Sequence, residues 1–102
     1  MKKYSKKIKR QLRELSGLAY KRELEHFLTN LKGKFDKWHN GNIDCWKLVD
    51  SIHDFHNGDA RNLYKQYIMN KNSDLNVVHA LNNGIIKNEE VPDEVMGTLK
   101  IV

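Results

Sequence analysis

The chain has 102 residues, of which 39% are hydrophobic and 30% charged, with one cysteine and one proline. This length suits one compact domain and is short for two. A single cysteine excludes an intramolecular disulfide and a paired-thiol metal site. The N-terminal charges lack the apolar stretch of a signal peptide, and no apolar run reaches the roughly 18–20 residues that span a bilayer. We therefore expect a single helical domain over residues 1–102, in a soluble cytoplasmic protein with no membrane partner.

The charges divide the chain into two parts. Residues 1–40 contain 12 Lys or Arg and four Asp or Glu, a net charge of +8. Residues 41–102 contain six Lys or Arg and nine Asp or Glu, a net charge of −3. A segment this basic attracts phosphates or an acidic protein surface.

Apolar residues recur at helical spacing along most of the chain, which predicts an all-α protein, a compact bundle of five to six helices with short connections. A basic first helix, over about residues 3–16, carries an apolar stripe of Tyr4, Ile8, Leu12 and Leu15. Gly17 either breaks this helix or only weakens it. The next helix ends at Asn40-Gly41. Its apolar residues have heptad-like spacing and either pack inside the protein or support a homodimer: Leu24, Leu28, Leu31, Phe35 and Trp38.

The second half of the chain has clear start and stop signals. Asp44 is a predicted cap of a helix that begins at Cys45 and ends at Gly58, and Asp59 then caps another helix. The polar run from Asn70 to Asp74 is a predicted loop. The helix after this loop has an apolar face of Leu75, Val78 and Leu81 and stops at Asn83-Gly84. Pro92 then lies in the first turn of a short final helix.

The N-terminal cations are the first candidate site. The phosphate- or partner-binding residues predicted there are Lys3, Lys6, Lys7, Lys9, Arg10 and Arg13. Cations at this density bind nucleic acids because they release condensed counterions from the phosphates. The same cations would pair with an acidic protein, and a solvated helix face that keeps the protein soluble is the simplest alternative.

A second basic face is predicted on the helix after Gly58. Its residues are Arg61, Asn62, Lys65 and Gln66, which are types that can pair with base edges. Two helices joined by a tight glycine turn would form a helix-turn-helix unit. Four aspartates oppose this interpretation because they would repel phosphates: Asp44, Asp50, Asp54 and Asp59.

Histidines and aromatics give the remaining candidates. His53 and His56 are three residues apart and are weak metal-ligand candidates, since no second ligand pair accompanies them. The alternative is a partly buried His53 and a His56 that helps to end its helix. The aromatic side chains are predicted to be core, except that Trp46 lies off the apolar stripe and is a candidate interface anchor.

Three parts of the chain resemble a group of short bacterial proteins. They are Tyr4-Ser5-Lys6-Lys7, then Leu12-Arg13-Glu14-Leu15 with Tyr20 and Glu23-Leu24, and Ile52-His53 with Phe55-His56. The resemblance covers the first two-thirds or so of the chain and implies a bacterial or phage origin. It implies no activity.

These observations favour a non-enzymatic interaction or regulatory protein that acts through its basic N-terminal helix and a helical protein–protein face. The partner is then a protein, and an acidic protein is one candidate. The alternative is a nucleic-acid-binding protein that contacts phosphates through the N-terminal cations. A second alternative is a metal-dependent hydrolase built around His53 and His56. The sequence has no phosphate-binding glycine loop and none of the common hydrolase motifs, so we expect no cofactor and no catalytic residues.

Overall fold

The computed structural model describes residues 4–70 and 72–99, and this part of the chain is helical with no strand. The α-helices are α1 (Lys6–His39), α2 (Cys45–Asp54), α3 (Arg61–Tyr64), α4 (Ser73–Asn82) and α5 (Asp93–Leu99). Two π-helical segments, Phe55–Ala60 and Lys65–Met69, follow α2 and α3, and a 3₁₀ turn, Asn88–Glu90, precedes α5. The predicted all-α class is confirmed.

α1 is one uninterrupted helix of 34 residues. The Ser5 hydroxyl caps it by accepting a hydrogen bond from the amide of Ile8 at 3.1 Å. Gly17 and Gly33 both lie inside it, so the basic helix predicted over about 3–16 is only its first part. The helix ends where predicted, because Gly41 has a φ of +78°, a left-handed conformation that glycine adopts without strain.

Residues 45–69 form a second long helix, here called the composite helix. Asp44 caps it as predicted, accepting from the amide of Lys47 at 2.8 Å. The predicted end at Gly58 and the predicted cap at Asp59 are wrong, because the backbone remains right-handed helical on both sides of the first π-helical segment. Each π-helical turn takes in one more residue than an α-turn, which changes the direction in which the following side chains point.

The described residues therefore form four continuous helices, so the prediction of five to six is wrong. The molecule measures 53 × 26 × 20 Å and has a radius of gyration of 17.3 Å. A compact chain of this length would have a radius near 13 Å. The molecule is thus elongated, because α1 alone is about 51 Å long.

The hydrophobic core lies at the N-terminal end of α1. The residues that it buries are Ile8, Leu12, Leu15 and Ala19 of α1, with Leu63, Tyr67, Val77, Ala80, Ile86, Val91, Val95 and Leu99. The apolar stripe predicted for the first helix is confirmed for Ile8, Leu12 and Leu15, while Tyr4 precedes the helix and packs against the core from outside it. Burial of one large aliphatic side chain contributes about 1.5–3 kcal/mol. The rest of α1 and the first part of the composite helix form an antiparallel hairpin in which Leu48 is the one buried apolar residue.

α4 packs on α1 through a face centred on Val77 and Ala80, beside the predicted face, of which Val78 and Leu81 are half-buried against the core. Val77 and Ala80 are fully buried, while Leu75 is 60% exposed. Asn76 is buried as well, and its side-chain amide donates to the Ser16 hydroxyl at 3.3 Å. Each of these buried polar groups needs such a partner, because an unpaired one would destabilise the fold. The pair fixes the position of α4 along α1.

The segment between α4 and α5 is held to α1 by an ion pair. The Arg22 guanidinium donates to both carboxylate oxygens of Glu90, at 2.8 and 2.6 Å, and to the backbone carbonyl of Ile85 at 2.8 Å. The hydrogen bonds from Arg22, and next the one from the Lys87 amide, lower the pKa of Glu90 from 4.5 to about 2. Glu90 therefore stays ionised at ordinary pH and keeps this two-point contact.

We expect Leu12→Ala to lower the free energy of unfolding by about 2–5 kcal/mol, because it leaves a cavity in the core. Urea unfolding followed by circular dichroism measures this loss. Leu28→Ala is the matched control on the same helix, since Leu28 is 45% exposed. A loss as large in the control as in the core variant would contradict the assigned core.

We expect Glu90→Gln to destabilise the protein at neutral pH, because it removes the charged partner of Arg22. A carboxylate with a depressed folded-state pKa stabilises the fold above its unfolded pKa and loses this effect as pH falls towards the folded value. The stability difference from the unchanged protein should therefore shrink between pH 4.5 and about 2. Urea midpoints at several pH values measure it, with Glu89→Gln as control. A difference independent of pH would contradict the assigned ion pair.

Candidate functional site

The N-terminal cations of α1 form one exposed patch. The residues that line it are Lys6, Lys7, Lys9, Arg10 and Arg13. Lys7 pairs with Glu94 of α5 at 3.2 Å, and hydrogen bonds from Gln11 and Lys7 lower the pKa of Glu94. The other four cations form no ion pair with any described residue, so they are available to a partner. Lys3, the remaining predicted member of the cluster, lies outside the described residues.

Part of this patch lies on the same side of α1 as a row of apolar residues. Lys6, Arg10 and Arg13 follow one another at spacings of four and three, and Tyr20 and Leu24 continue the series at seven and four. Residues at these spacings share one face of an α-helix. Arg13 and Tyr20 are about 10 Å apart along the helix axis. One side of α1 is thus cationic near its start and apolar further along.

The apolar row forms one wall of a groove between α1 and the composite helix. The groove has a volume of about 460 Å³. The residues that line it are Tyr20, Leu24, His56, Asn57, Ala60, Arg61, Tyr64, Lys65 and Met69. Tyr64 is 49% and Met69 63% exposed, so the groove presents apolar surface directly to solvent. The prediction that Tyr64 belongs to the core is wrong.

Tyr20 is held in place by a buried neighbour. Its ring stacks on that of Tyr67 with centroids 5.1 Å apart and an interplanar angle of 8°. The Tyr67 hydroxyl donates to the Glu23 carboxylate. Burial, and then the Glu23 carboxylate, raise the pKa of Tyr67, so the hydroxyl remains a proton donor at neutral pH. This wall of the groove is therefore fixed before any partner binds.

The second predicted basic face is divided by the fold. Arg61, Asn62 and Lys65 are exposed, and Arg61 and Lys65 lie in the wall of the groove. Gln66 is half-buried, and its backbone carbonyl accepts from the Asn76 amide at 3.4 Å. The helix continues through Gly58, so the turn that a helix-turn-helix unit needs is missing from this part of the chain.

The tip of the hairpin carries exposed aromatic side chains. Trp46, the predicted interface anchor, is 76% exposed. Phe35 and Trp38 of α1 are also more than 40% exposed, as is Val49 of α2. The prediction that Trp38 belongs to the core is wrong, because only one helix packs on this end of α1. Apolar side chains gathered on a surface in this way are typical of an interaction site.

The structure does not place the two histidines in the environments predicted for them. His53 and His56 are both exposed, so the partly buried position predicted for His53 is wrong. His56 lies inside the first π-helical segment and does not end a helix. Among the described residues, no three His, Cys, Asp or Glu side chains come close enough together to hold a metal ion. The metal-dependent hydrolase thus receives no support from the geometry.

Comparisons with protein-family models, with curated proteins and with solved structures found no match. Within residues 4–70 and 72–99, no helix has both the length and the apolarity needed to cross a membrane.

Sequence reasoning missed the groove. Leu24 was predicted only as part of a core or homodimer seam, and Ala60 and Met69 were not predicted to bind anything, because a helix end at Gly58 would have separated Ala60 from α1. The one usable signal was the i, i+4 series Arg61, Lys65 and Met69, which places a long apolar side chain beside two cations on one helix face.

Proposed function

We propose that this protein is a non-enzymatic binding protein whose partner is another protein. The observation that carries the proposal is the open groove beside α1, in which fixed aromatic and exposed aliphatic side chains lie next to cations. Interfaces of this kind use a few buried apolar anchors for affinity and charged residues at the rim for orientation and association rate.

The hairpin supports the same proposal. Leu28 and Phe35 continue the apolar row of α1 beyond the groove: Leu28 is four residues after Leu24, and Phe35 is seven residues after Leu28. On the composite helix, Trp46 and Val49 lie three residues apart and remain exposed. A surface that carries this many exposed apolar side chains costs solubility, and its use as an interface is the ordinary reason for it. The predicted role of Trp46 as an interface anchor belongs to this proposal.

We expect a photo-crosslinking amino acid at Met69 to form a covalent adduct with a protein in extracts of the cells that make this chain. Met69 is exposed and lines the groove, so the substitution leaves the core intact. Asn82, which is exposed on α4, is the matched control position and should give no adduct. Gel electrophoresis after nuclease or protease treatment identifies the adduct as protein or nucleic acid. Absence of any adduct at Met69 would contradict a groove-binding partner.

A nucleic-acid-binding protein is the second proposal, and the unpaired N-terminal cations favour it. Lys6, Lys9, Arg10 and Arg13 lie together and point away from the core. Phosphates need no more than such a patch for sequence-independent binding. This proposal leaves the exposed apolar groove without a role, which is why we place it second.

If the cations bind phosphates, labelled duplex and single-stranded oligonucleotides should bind at low salt. With four phosphate contacts, affinity should fall about 100-fold between roughly 50 and 200 mM salt. Changing Lys6, Lys9, Arg10 and Arg13 to Gln should abolish the binding, and changing Lys32, Lys37, Lys47 and Lys87 to Gln should preserve it. Fluorescence anisotropy measures both. No binding at low salt, or equal loss in the two variants, would contradict a phosphate-binding patch.

A further inference from the structure

Beyond the groove, exposed apolar side chains continue along the hairpin of two antiparallel helices. Tyr64 and Val49, which are exposed on the composite helix, are 15 residues apart, or about 22 Å along its axis. A third helix of about four turns has this length. Amphipathic helices commonly bind in grooves of this shape, with apolar side chains at i, i+3 or i+4 and i+7 as anchors.

The charge around the groove is positive. Arg61 and Lys65 line it, and no residue that lines it has a carboxylate. The acidic residues Asp54 and Asp59 of the composite helix lie on the other side of the hairpin, where they line a separate cleft with Lys34 and Lys47. The two sides of one hairpin therefore have different charge, and only the groove side combines apolar surface with unopposed cations.

The cationic face of α1 extends this positive surface beyond the groove. Arg13 and Arg10 lie on the same side of α1 as Tyr20 and Leu24, about two and three helical turns nearer the N-terminus than Tyr20. Neither arginine forms an ion pair with a described residue. A helix bound in the groove would have these arginines at the end that points towards the start of α1.

We infer that the groove binds an acidic amphipathic helix of a protein partner, an inference that rests on the proposed protein-binding function. The apolar face of that helix packs against Leu24, Tyr64 and Met69. Its flanking Asp or Glu side chains pair with Arg61 and Lys65, and carboxylates in the partner segment that continues past these four turns pair with Arg13 and Arg10. Basic helices are excluded from the groove because their charges would meet these cations without compensation. A nucleic acid would use the cations and leave the apolar wall exposed to water.

A displayed library of helical peptides tests the inference directly. The peptides are about 15 residues long, to match the groove, with one apolar stripe and with Glu, Lys or Ser at random in the flanking positions. Selection on the immobilised full chain should enrich Glu at the flanks. The selected peptides should bind about 10-fold or more weakly to the Met69→Glu variant, because that change places a charge among the apolar anchors.

Reversing the charge of groove residues distinguishes specific ion pairs with the peptide from the general attraction of acidic peptides to a basic protein. The variant Arg61→Glu/Lys65→Glu should select Lys at the flanks. The variant Lys37→Glu/Lys47→Glu has the same net charge and alters residues outside the groove, so it should still select Glu. Circular dichroism confirms that the variants are folded. Enrichment of Glu that both variants lose equally would overturn the inference.

Three further results would overturn it as well. The first is selection without a preference for Glu, and the second is peptide binding that Met69→Glu leaves unchanged. The third is self-association of the unchanged protein in sedimentation experiments that Met69→Glu abolishes, because a second copy would then cover the groove. If the crosslink from Met69 to a partner protein persists in any of these cases, the proposed function stands and only the acidic helix is wrong.

Discussion

α1 is about 51 Å long, because each of its 34 residues adds about 1.5 Å. α4 and α5 contain 10 and seven residues, so they span only about 15 and 10 Å of it. They are too short to cover the second half of α1, most of which is left to the composite helix. The core and the hairpin are thus a consequence of one long helix that its partners are too short to cover.

A hairpin of two helices buries one narrow seam and leaves both of its flanks in contact with water. Leu48 lies in that seam, while Leu28 and Phe35 remain more than 40% exposed. The residues that stabilise the fold and the exposed apolar residues therefore lie at different ends of the molecule. Side chains near the hairpin tip contribute little to the free energy of folding, so that end can carry apolar groups suited to a partner without weakening the core.

Local signals predicted the helix ends that depend on one residue. Asp44 caps a helix, and Gly41 and Gly84 end helices, because each end needs only a side-chain acceptor or a left-handed residue at that position. Gly58 gave the same signal and was wrong, because glycine is equally able to stay helical. Packing of Leu63 and Tyr67 on α1 favours continuation of the helix, and this depends on residues far away in the chain.

The candidate site was likewise predictable only where nearby residues determine it. The cations of α1 and the exposure of Trp46 follow from nearby sequence. The groove does not, since it requires Leu24 and Met69 to come together from two helices. α4 shows the same limit: its sequence allows a face through Leu75 or one through Val77, and only the contact with α1 selects the second.

The two ends of the described chain meet at the same end of the molecule. Gln11 and Lys7 contact Glu94, and Ile8 and Leu12 share the core with Val95 and Leu99. During synthesis, the apolar stripe at the start of α1 must therefore wait for its partners in α5, which the ribosome makes later. A basic amphipathic helix is exposed throughout that interval, so the nascent chain is a better target for chaperones than the folded domain.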